Sequence, residues 1–404
     1  ATSGCVSGKA ATPPVPQGII GTWMSPVSSA EQIKFAVDHG VNLISFASAL
    51  PQNFVAGNDW KDKVMSTVVS QPSATDEIKN GIKVQGTKSQ YFISIGGSNA
   101  QQWDCLLGKG QGGRGGGHTQ GTAPVGSECQ NIYTCAKGLR CQWWAAKSTT
   151  VHGKDHTCTY GPSSKHGCCI SPPSGDKCAS DASPETAADK LWDLCQEYGF
   201  TGVGWDLEGF DGQYSKNVCA VCQNLRKRGL RIMITILLGD LNSWEYLIAT
   251  RDSCGNACYD YVALMLYNGG MYVPSAKGGE GGACVWQGWA ETWLSTCATK
   301  RNCSDTPSCK PTPHGAKNVL LGVITDTAKT VCDGACGKEA IALVNKYGGA
   351  GVMNWVLPGW GAGGSGRGGG SGAPGESAAA SIASPSAEST RAVPSPTPCA
   401  PGQG

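Results

Sequence analysis

Eight short apolar segments that alternate with helical ones are the feature that most constrains the fold of this chain. Each is rich in Val, Ile, Leu, Phe or Trp and precedes a stretch with helical periodicity, a pattern typical of parallel strands joined by crossover helices. The predicted strands are Gln17–Trp23, Val41–Ala47, Tyr91–Ile95, the start of Gly199–Gly212, Leu230–Leu237, Tyr261–Tyr267, Asn318–Ile324 and Ala350–Val356. Eight such units predict an α/β fold, the TIM (β/α)8 barrel.

The helix that precedes the fourth strand has the clearest ends. Ser183 is a good N-cap, Pro184 suits the first helical position, and Glu185 places an acid in the first turn. Gly199 ends this helix after Tyr198. Weaker signals predict the other helices: Ala30–His39, Asp76–Gln85, Lys216–Arg228, Ser243–Ala249, Trp286–Thr299 and Lys338–Tyr347.

Composition divides the chain into a barrel and three other parts. Residues 1–16 are small, polar and Pro-rich, which predicts an extended N-terminal segment. The barrel covers 17–360 and is interrupted at 100–181, after the third strand, by a segment rich in Cys and Gly with little periodicity. Residues 361–404 contain no aromatic side chain, so we expect a disordered or extended tail that does not fold alone.

Cysteine is the strongest compositional signal. The chain has Cys 21, many in close pairs, which favours disulfides, an oxidising compartment and a secreted or extracellular location, including a cell wall or surface. The start at Ala1 agrees with a removed leader, and Asn302-Cys303-Ser304 is a glycosylation sequon. We predict local pairs at Cys254/Cys258 and Cys332/Cys336. The odd total leaves a thiol for an intermolecular bond, with Cys399 as the candidate and Cys5 next.

The net charge, the lengths of the apolar runs and the spacing of Cys and His argue against nucleic acid, a membrane and a metal ion as partners. The net charge of +2 does not favour nucleic acid, and no apolar run is long enough to span a membrane. The insertion lacks matched Cys-x-x-Cys ligands, so we expect no metal and no cofactor, although it holds four histidines: His118, His152, His156 and His166. Its tryptophans form either an aromatic platform for sugar rings or, the slightly favoured alternative, a small core: Trp103, Trp143 and Trp144.

The stretch Gly199–Gly212 carries the best candidate for chemistry. Side chains alternate along a strand, so Gly204, Asp206 and Glu208 share one face, opposite Val203 and Trp205. Two carboxylates on a buried strand are costly unless their face lines a cavity or a site. The alternative is a strand end where the two acids make a cap and a salt bridge.

Four local motifs, in order on a predicted barrel, resemble those of family 18 glycoside hydrolases, the chitinase and chitinase-like group. The resemblance spans Gly18 to Trp360 without the insertion. The motifs are Phe92-Ile-Ser-Ile-Gly-Gly-Ser98 on the third strand, Gly202–Glu208 on the fourth, Met265-Leu-Tyr267-Asn268 on the sixth and Met353-Asn-Trp355 on the eighth.

The resemblance implies an enzyme that cleaves β-1,4-linked N-acetylglucosamine polymers without an enzymic nucleophile. Glu208 would be the general acid, Asp206 would hold the substrate's acetamido group as it attacks the anomeric carbon, and Tyr267 would hydrogen-bond that group. Trp355 would stack beneath the sugar. The matching motifs also place Gly96, Gly97, Met265 and Asn268 at the substrate.

The chain departs from the family pattern at two positions of the fourth strand. Thr201 and Gly204 stand where the family has Asp, and the loss at Gly204 removes the carboxylate that shares a proton with Asp206. We expect a slower enzyme or a shifted pH optimum. The alternative is a chitinase-like protein that binds glycan or contributes to a wall or surface assembly, with inhibition of another enzyme as a third class.

Overall fold

The structure of the chain is a computed structural model that describes all eight strands of a barrel. The described residues are 16–24, 27, 29–54, 57–69, 74–85, 89–97, 103–108, 122–129, 140–142, 150–152, 157–159, 167–170, 181–206, 214–237, 247–248, 257–266, 290, 294, 315–324 and 335–355.

Eight parallel strands close into a barrel, as the sequence predicts. They are β1 (Ile19–Met24), β2 (Leu43–Ala49), β3 (Gln90–Gly96), β9 (Gly202–Asp206), β10 (Arg231–Leu237), β11 (Tyr261–Met265), β12 (Val319–Ile324) and β13 (Gly351–Trp355). Around the barrel the order is β1-β13-β12-β11-β10-β9-β3-β2. Because β3 pairs directly with β9, the long segment between them leaves the barrel and returns to it without adding a strand.

The alternation of side chains separates two apolar layers. One cluster fills the lumen and contains Trp23, Phe92, Met233 and Tyr261. The other lies between the strands and the helices and contains Val203 and Trp205. The predicted assignment of the fourth strand is therefore confirmed for the residues described: Asp206 lies on the lumen face of β9, opposite Val203 and Trp205.

Seven α-helices have described bounds. They are α1 (Ala30–Asp38), α2 (Trp60–Val68), α3 (Thr75–Gln85), α4 (Trp103–Leu107), α5 (Pro184–Tyr198), α6 (Ser215–Lys227) and α7 (Ala335–Tyr347). At α5 the Ser183 hydroxyl accepts from the Thr186 amide, and Gly199 adopts a left-handed conformation with φ 82°, which confirms both predicted helix ends. The described helices include none that is long and apolar enough to cross a membrane.

Helices α2 and α4 lie outside the sequence-based predictions. Helix α2 buries Val64, Met65 and Val68, a spacing that covers one helical face. In α4, Trp103 lies beside Trp205 with ring centroids 6.4 Å apart, within the layer between strands and helices. Both interpretations of Trp103, as a sugar platform and as part of a separate small core, are therefore wrong.

The segment after α4 contains short antiparallel strands outside the barrel. Strands β4 (Glu128–Cys129), β8 (Gly167–Ile170) and β5 (Arg140–Gln142) form one sheet, and β6 (Thr150–His152) pairs with β7 (Thr157–Thr159). Cys169 of β8 is disulfide-bonded and fully buried. These strands are much shorter than those of the barrel, as expected for a segment with little core of its own.

Cysteine pairing differs from the prediction at Cys258. Its thiol is free and buried, with Sγ 4.0 Å from the Leu247 carbonyl oxygen, so the expected pair with Cys254 is wrong. The side chain packs into the layer beneath the helices rather than toward its own loop. Cys195 and Cys222 are also free and buried, so the described residues hold more thiols than an odd total requires. Burial raises the pKa of the Cys195 thiol, so it stays protonated and packs as a small apolar group.

Several predictions concern positions outside the described residues. These are residues 1–15 and 361–404, most of the helix Trp286–Thr299, Trp143, Trp144, the sequon at Asn302, and the cysteines Cys5, Cys254, Cys332 and Cys399.

Asp260, just before β11, organises the N-terminal ends of two neighbouring strands. One of its carboxylate oxygens lies 3.1 Å from Arg226 and 3.4 Å from Arg231, and the other accepts a hydrogen bond from the Ile232 amide. The Asp260 side chain is almost fully buried. Removing a buried ion of this kind leaves its partners uncompensated.

We expect Asp260→Ala to lower the free energy of unfolding by about 3–5 kcal/mol, because two arginines then lose their counter-ion in a buried site. Asp38→Ala, which removes an exposed partner of Lys34 on α1, is the matched control and should cost less than about 1 kcal/mol. Urea denaturation of both variants measures the difference. Equal losses would contradict the structural role of Asp260.

Candidate active site

The candidate site is centred on Asp206, the last residue of β9. In the barrel ladder Asp206 is the partner of Gly96 on one side and Thr235 on the other. Its side chain is only 1% exposed. A carboxylate at the C-terminal end of a barrel strand lies at the end where (β/α)8 enzymes carry their active sites.

Two glycines at the end of β3 hold the backbone of Asp206. The Gly97 amide donates to the Asp206 carbonyl oxygen at 2.7 Å. Gly96 has φ +126°, and a Cβ there would lie 1.8 Å from the same oxygen. Position 96 therefore requires glycine for both its conformation and the close approach of β9.

Gly97 also borders the carboxylate itself. A Cβ at Gly97, which has φ +86°, would lie 3.7 Å from Oδ2 of Asp206 and 3.1 Å from the Ser48 hydroxyl. The end of β3 thus leaves space beside the acid that a side chain would occupy. The predicted site residues Gly96, Gly97 and Asp206 are brought together.

The other predicted site residues are only partly described. Met265 ends β11 in the apolar cluster of the lumen and is almost fully buried. Trp355 ends β13, with its backbone paired to Trp23 of β1 and Ile324 of β12. Glu208, Tyr267 and Asn268 lie outside the described residues, and their roles stay predictions.

The two departures from the family motif lie in very different places. Thr201 comes before β9, about 16 Å from Asp206 along an extended strand, and its hydroxyl accepts from the Tyr91 amide at 2.8 Å. Gly204 lies within the lumen, one side-chain position below Asp206. A Cβ there would meet only ordinary contacts, at 3.4 Å from Met233 and 3.5 Å from Ser45 and Ser94. Only Gly204 is placed to affect Asp206.

Three small polar residues near Gly204 escaped the sequence analysis. Ser45, Ser94 and Thr235 are buried on β2, β3 and β10, the strands next to β9 or one strand away. The signal was present in the sequence, since each is a small hydroxyl residue two positions after a lumen-facing apolar residue of the same strand: Leu43, Phe92 and Met233.

The described part of the chain contains no group of three or more His, Cys, Asp or Glu side chains able to hold a metal ion. Of the four histidines in the insertion, only His152 falls within a described strand, β6. The chemistry proposed below uses carboxylates, hydroxyls and aromatic rings alone.

Solved family 18 chitinases are similar to this chain over most of its length. A chitinase from Pseudoalteromonas aurantia has 12% identity and a TM-score of 0.43, with 84% of this chain and 94% of that chain covered. A chitinase from Chromobacterium violaceum has 12% identity and a TM-score of 0.43, with coverage of 90% and 98%. Active domain 2 of a Pyrococcus furiosus chitinase, as catalytic-site mutants complexed with chito-oligosaccharides, has 10% identity and a TM-score of 0.43, with coverage of 85% and 86%.

These similarities concern the fold, and residue roles are argued from the site itself. No protein-family model matches the chain, and no curated protein matches it.

We expect Gly96→Ala to destabilise the protein by more than about 4 kcal/mol, a loss that few single substitutions reach, because its Cβ would overlap the Asp206 carbonyl. Gly348→Ala is the matched control: Gly348 also has positive φ, +70°, but nothing lies within 4 Å of its Cβ position. That variant should lose only the conformational cost of about 1–2 kcal/mol. Thermal or urea unfolding compares them, and similar losses would contradict the close β3–β9 contact.

Proposed function

We propose that the protein is a chitinase-type glycoside hydrolase that cleaves β-1,4-linked N-acetylglucosamine polymers with retention of configuration. The observation that carries the proposal is the buried carboxylate of Asp206, at the catalytic end of the fourth barrel strand. Glu208 follows two residues later in the sequence, at the same strand parity.

The proposed reaction uses the substrate's acetamido group as the nucleophile. Glu208 protonates the glycosidic oxygen while the acetamido oxygen attacks the anomeric carbon and forms an oxazolinium ion. Asp206 orients the acetamido nitrogen and stabilises the positive charge that develops on it. Burial strengthens this interaction, because the charges act in a medium of low dielectric constant. Water, activated by the Glu208 carboxylate, then opens the intermediate.

The remaining predicted residues would hold the sugar. Tyr267 donates to the acetamido carbonyl, Asn268 contributes a further polar contact, and the Trp355 ring stacks beneath the pyranose. Met265, buried at the end of β11, supports the floor of the site. Gly97 leaves room beside the Asp206 carboxylate for the acetamido group, and Gly96 allows the close approach of the Asp206 backbone. No cofactor and no metal take part.

Two carboxyl substitutions test the assignment of roles. Glu208→Gln should lower kcat on a fluorogenic chitooligosaccharide by about 10²–10⁴-fold, the usual contribution of a general acid, and Asp206→Asn should also lower kcat strongly. Asp189→Asn on α5, an exposed carboxylate paired with Arg228, is the matched control and should leave turnover unchanged. Equal activity of the wild type and Glu208→Gln would refute the proposal.

Participation of the acetamido group makes a separate prediction. Cello-oligosaccharides have the same linkage without that group and should not be cleaved, and the first product released from chitooligosaccharides should be the β-anomer. Proton NMR of the fresh product reads the anomer directly. Release of the α-anomer first would contradict the substrate-assisted mechanism.

A second function is favoured by one specific observation. Gly204 removes the lumen carboxylate that the resembled motif places next to Asp206, so a chitinase-like protein that binds glycan without turnover is the alternative. In this alternative the Ser- and Pro-rich tail, with Cys399 or Cys5, would link the protein into a cell-wall or surface assembly. The cysteine content and sequon support a secreted location under either function.

Chitin sedimentation together with the activity assay separates the two functions. Binding with no released reducing ends favours the glycan-binding protein. Self-association that is lost in Cys399→Ser favours the assembly role, whereas release of oligosaccharides by the wild type favours the hydrolase.

A further inference from the structure

We propose that bound water occupies the lumen beside Gly204, held by the hydroxyls of Ser45, Ser94 and Thr235, and that this water positions the carboxylate of Asp206. The inference deepens the proposed hydrolase and rests on it for the role of Asp206. The presence of the water does not depend on that function.

The first observation is the set of hydroxyls themselves. Ser45, Ser94 and Thr235 are all essentially inaccessible to solvent, and none of their oxygens has a hydrogen-bond partner within the protein. Buried hydroxyls are nearly always hydrogen-bonded to protein or ordered water. Leaving one unsatisfied costs on the order of the desolvation of a polar group, so three within one part of the lumen require a common explanation.

The second observation is that the hydroxyl-bearing strands surround one glycine. Strands β2, β3, β9 and β10 are consecutive in the barrel. Gly204 of β9 is the ladder partner of Ser94 on β3, and a Cβ at Gly204 would lie 3.5 Å from the Ser45 hydroxyl. On the other side, Thr235 is the ladder partner of Asp206. The three hydroxyls therefore border the lumen space at and below Asp206.

The third observation is the space at Gly204. The nearest atoms to its Cβ position lie at 3.4–3.5 Å, which is ordinary van der Waals contact. The glycine thus leaves at least the room of a methyl group, beside the Ser45 hydroxyl, the backbone of Ser94 and the terminal methyl group of Met233. A polar space with several hydrogen-bonding partners holds water, whereas a space lined only by apolar groups stays empty.

Water beside Gly204 would lie next to the carboxylate of Asp206. Asp206 shares the lumen face with Gly204 and extends from the next inward position of the same strand. Water that accepts from one hydroxyl can donate to a carboxylate oxygen, which fixes the orientation of the carboxylate and favours its charged form. The bound water would thus orient the Asp206 carboxylate by hydrogen bonding, a role that a second lumen carboxylate would perform by sharing a proton with it.

A high-resolution crystal structure of the full chain tests the site without any assay. The expected result is a water oxygen about 2.7–3.2 Å from at least two of the hydroxyls of Ser45, Ser94 and Thr235. Hydroxyls that pair directly with other protein groups, or an empty space beside Gly204, would overturn the inference and leave the proposed hydrolase intact.

Kinetics tests the positioning role with an isosteric pair. Thr235→Val removes the hydroxyl and keeps the shape, so kcat should fall about tenfold with KM nearly unchanged, the effect of losing a hydrogen bond in a network to a charged group. Thr235→Ser restores the hydroxyl and should recover most of kcat. A purely structural role would predict the reverse order, since Val fills the site better than Ser.

Gly204→Ala provides an independent variant in case Thr235→Val folds poorly. Its methyl group takes the space of the water and should also lower kcat. The matched control is Ser89→Ala, which removes a buried hydroxyl that donates to the Val41 carbonyl near the opposite end of β3 and should leave kcat unchanged. An active wild type with full kcat in both Thr235→Val and Gly204→Ala overturns the inference, whereas a wild type inactive on all chitooligosaccharides overturns the proposed function and the positioning role together.

Discussion

The contact between the ends of β3 and β9 is the constraint on which the candidate site depends. The Gly97 amide donates to the Asp206 carbonyl at 2.7 Å, and Gly96 allows the two backbones to approach. This contact fixes where β9 ends and so where its carboxylate lies. Residues 97–201 separate the two strands in sequence, yet the ladder closes directly between β3 and β9.

The barrel accommodates a buried acid because its apolar and polar side chains occupy different regions. Apolar side chains such as Trp205 fill the layer beneath the helices, and Phe92 and Tyr261 fill the lower lumen. The upper lumen is different, because Ser45, Ser94 and Thr235 place hydroxyls near Asp206. The polar groups are concentrated at the end of the barrel where a substrate would arrive, and the ion cluster around Asp260 lies at the start of the neighbouring strand, at the other end.

Of the two departures from the family motif, only Gly204 lies where it can affect Asp206. Thr201 binds the backbone of Tyr91 and braces the beginning of β9 against β3, far from the acid. Gly204 lies on the lumen face beside three buried hydroxyls. A glycine in such a place changes what can contact Asp206 without changing the course of the strand, since β9 keeps a regular register with both neighbours.

Sequence by itself determined the barrel, because short apolar runs that alternate with helical periodicity, and the caps of helices such as α5, are local properties. It also selected Asp206, since a carboxylate on a buried strand is unusual in itself, and it selected Gly96 and Gly97 through the resemblance of Phe92–Ser98 to a family motif. Only the tertiary structure decided what surrounds them. Trp103 joined the barrel core and Cys258 remained a free thiol, and the hydroxyls of Ser45, Ser94 and Thr235 came together, because each depends on contacts between residues far apart in the chain.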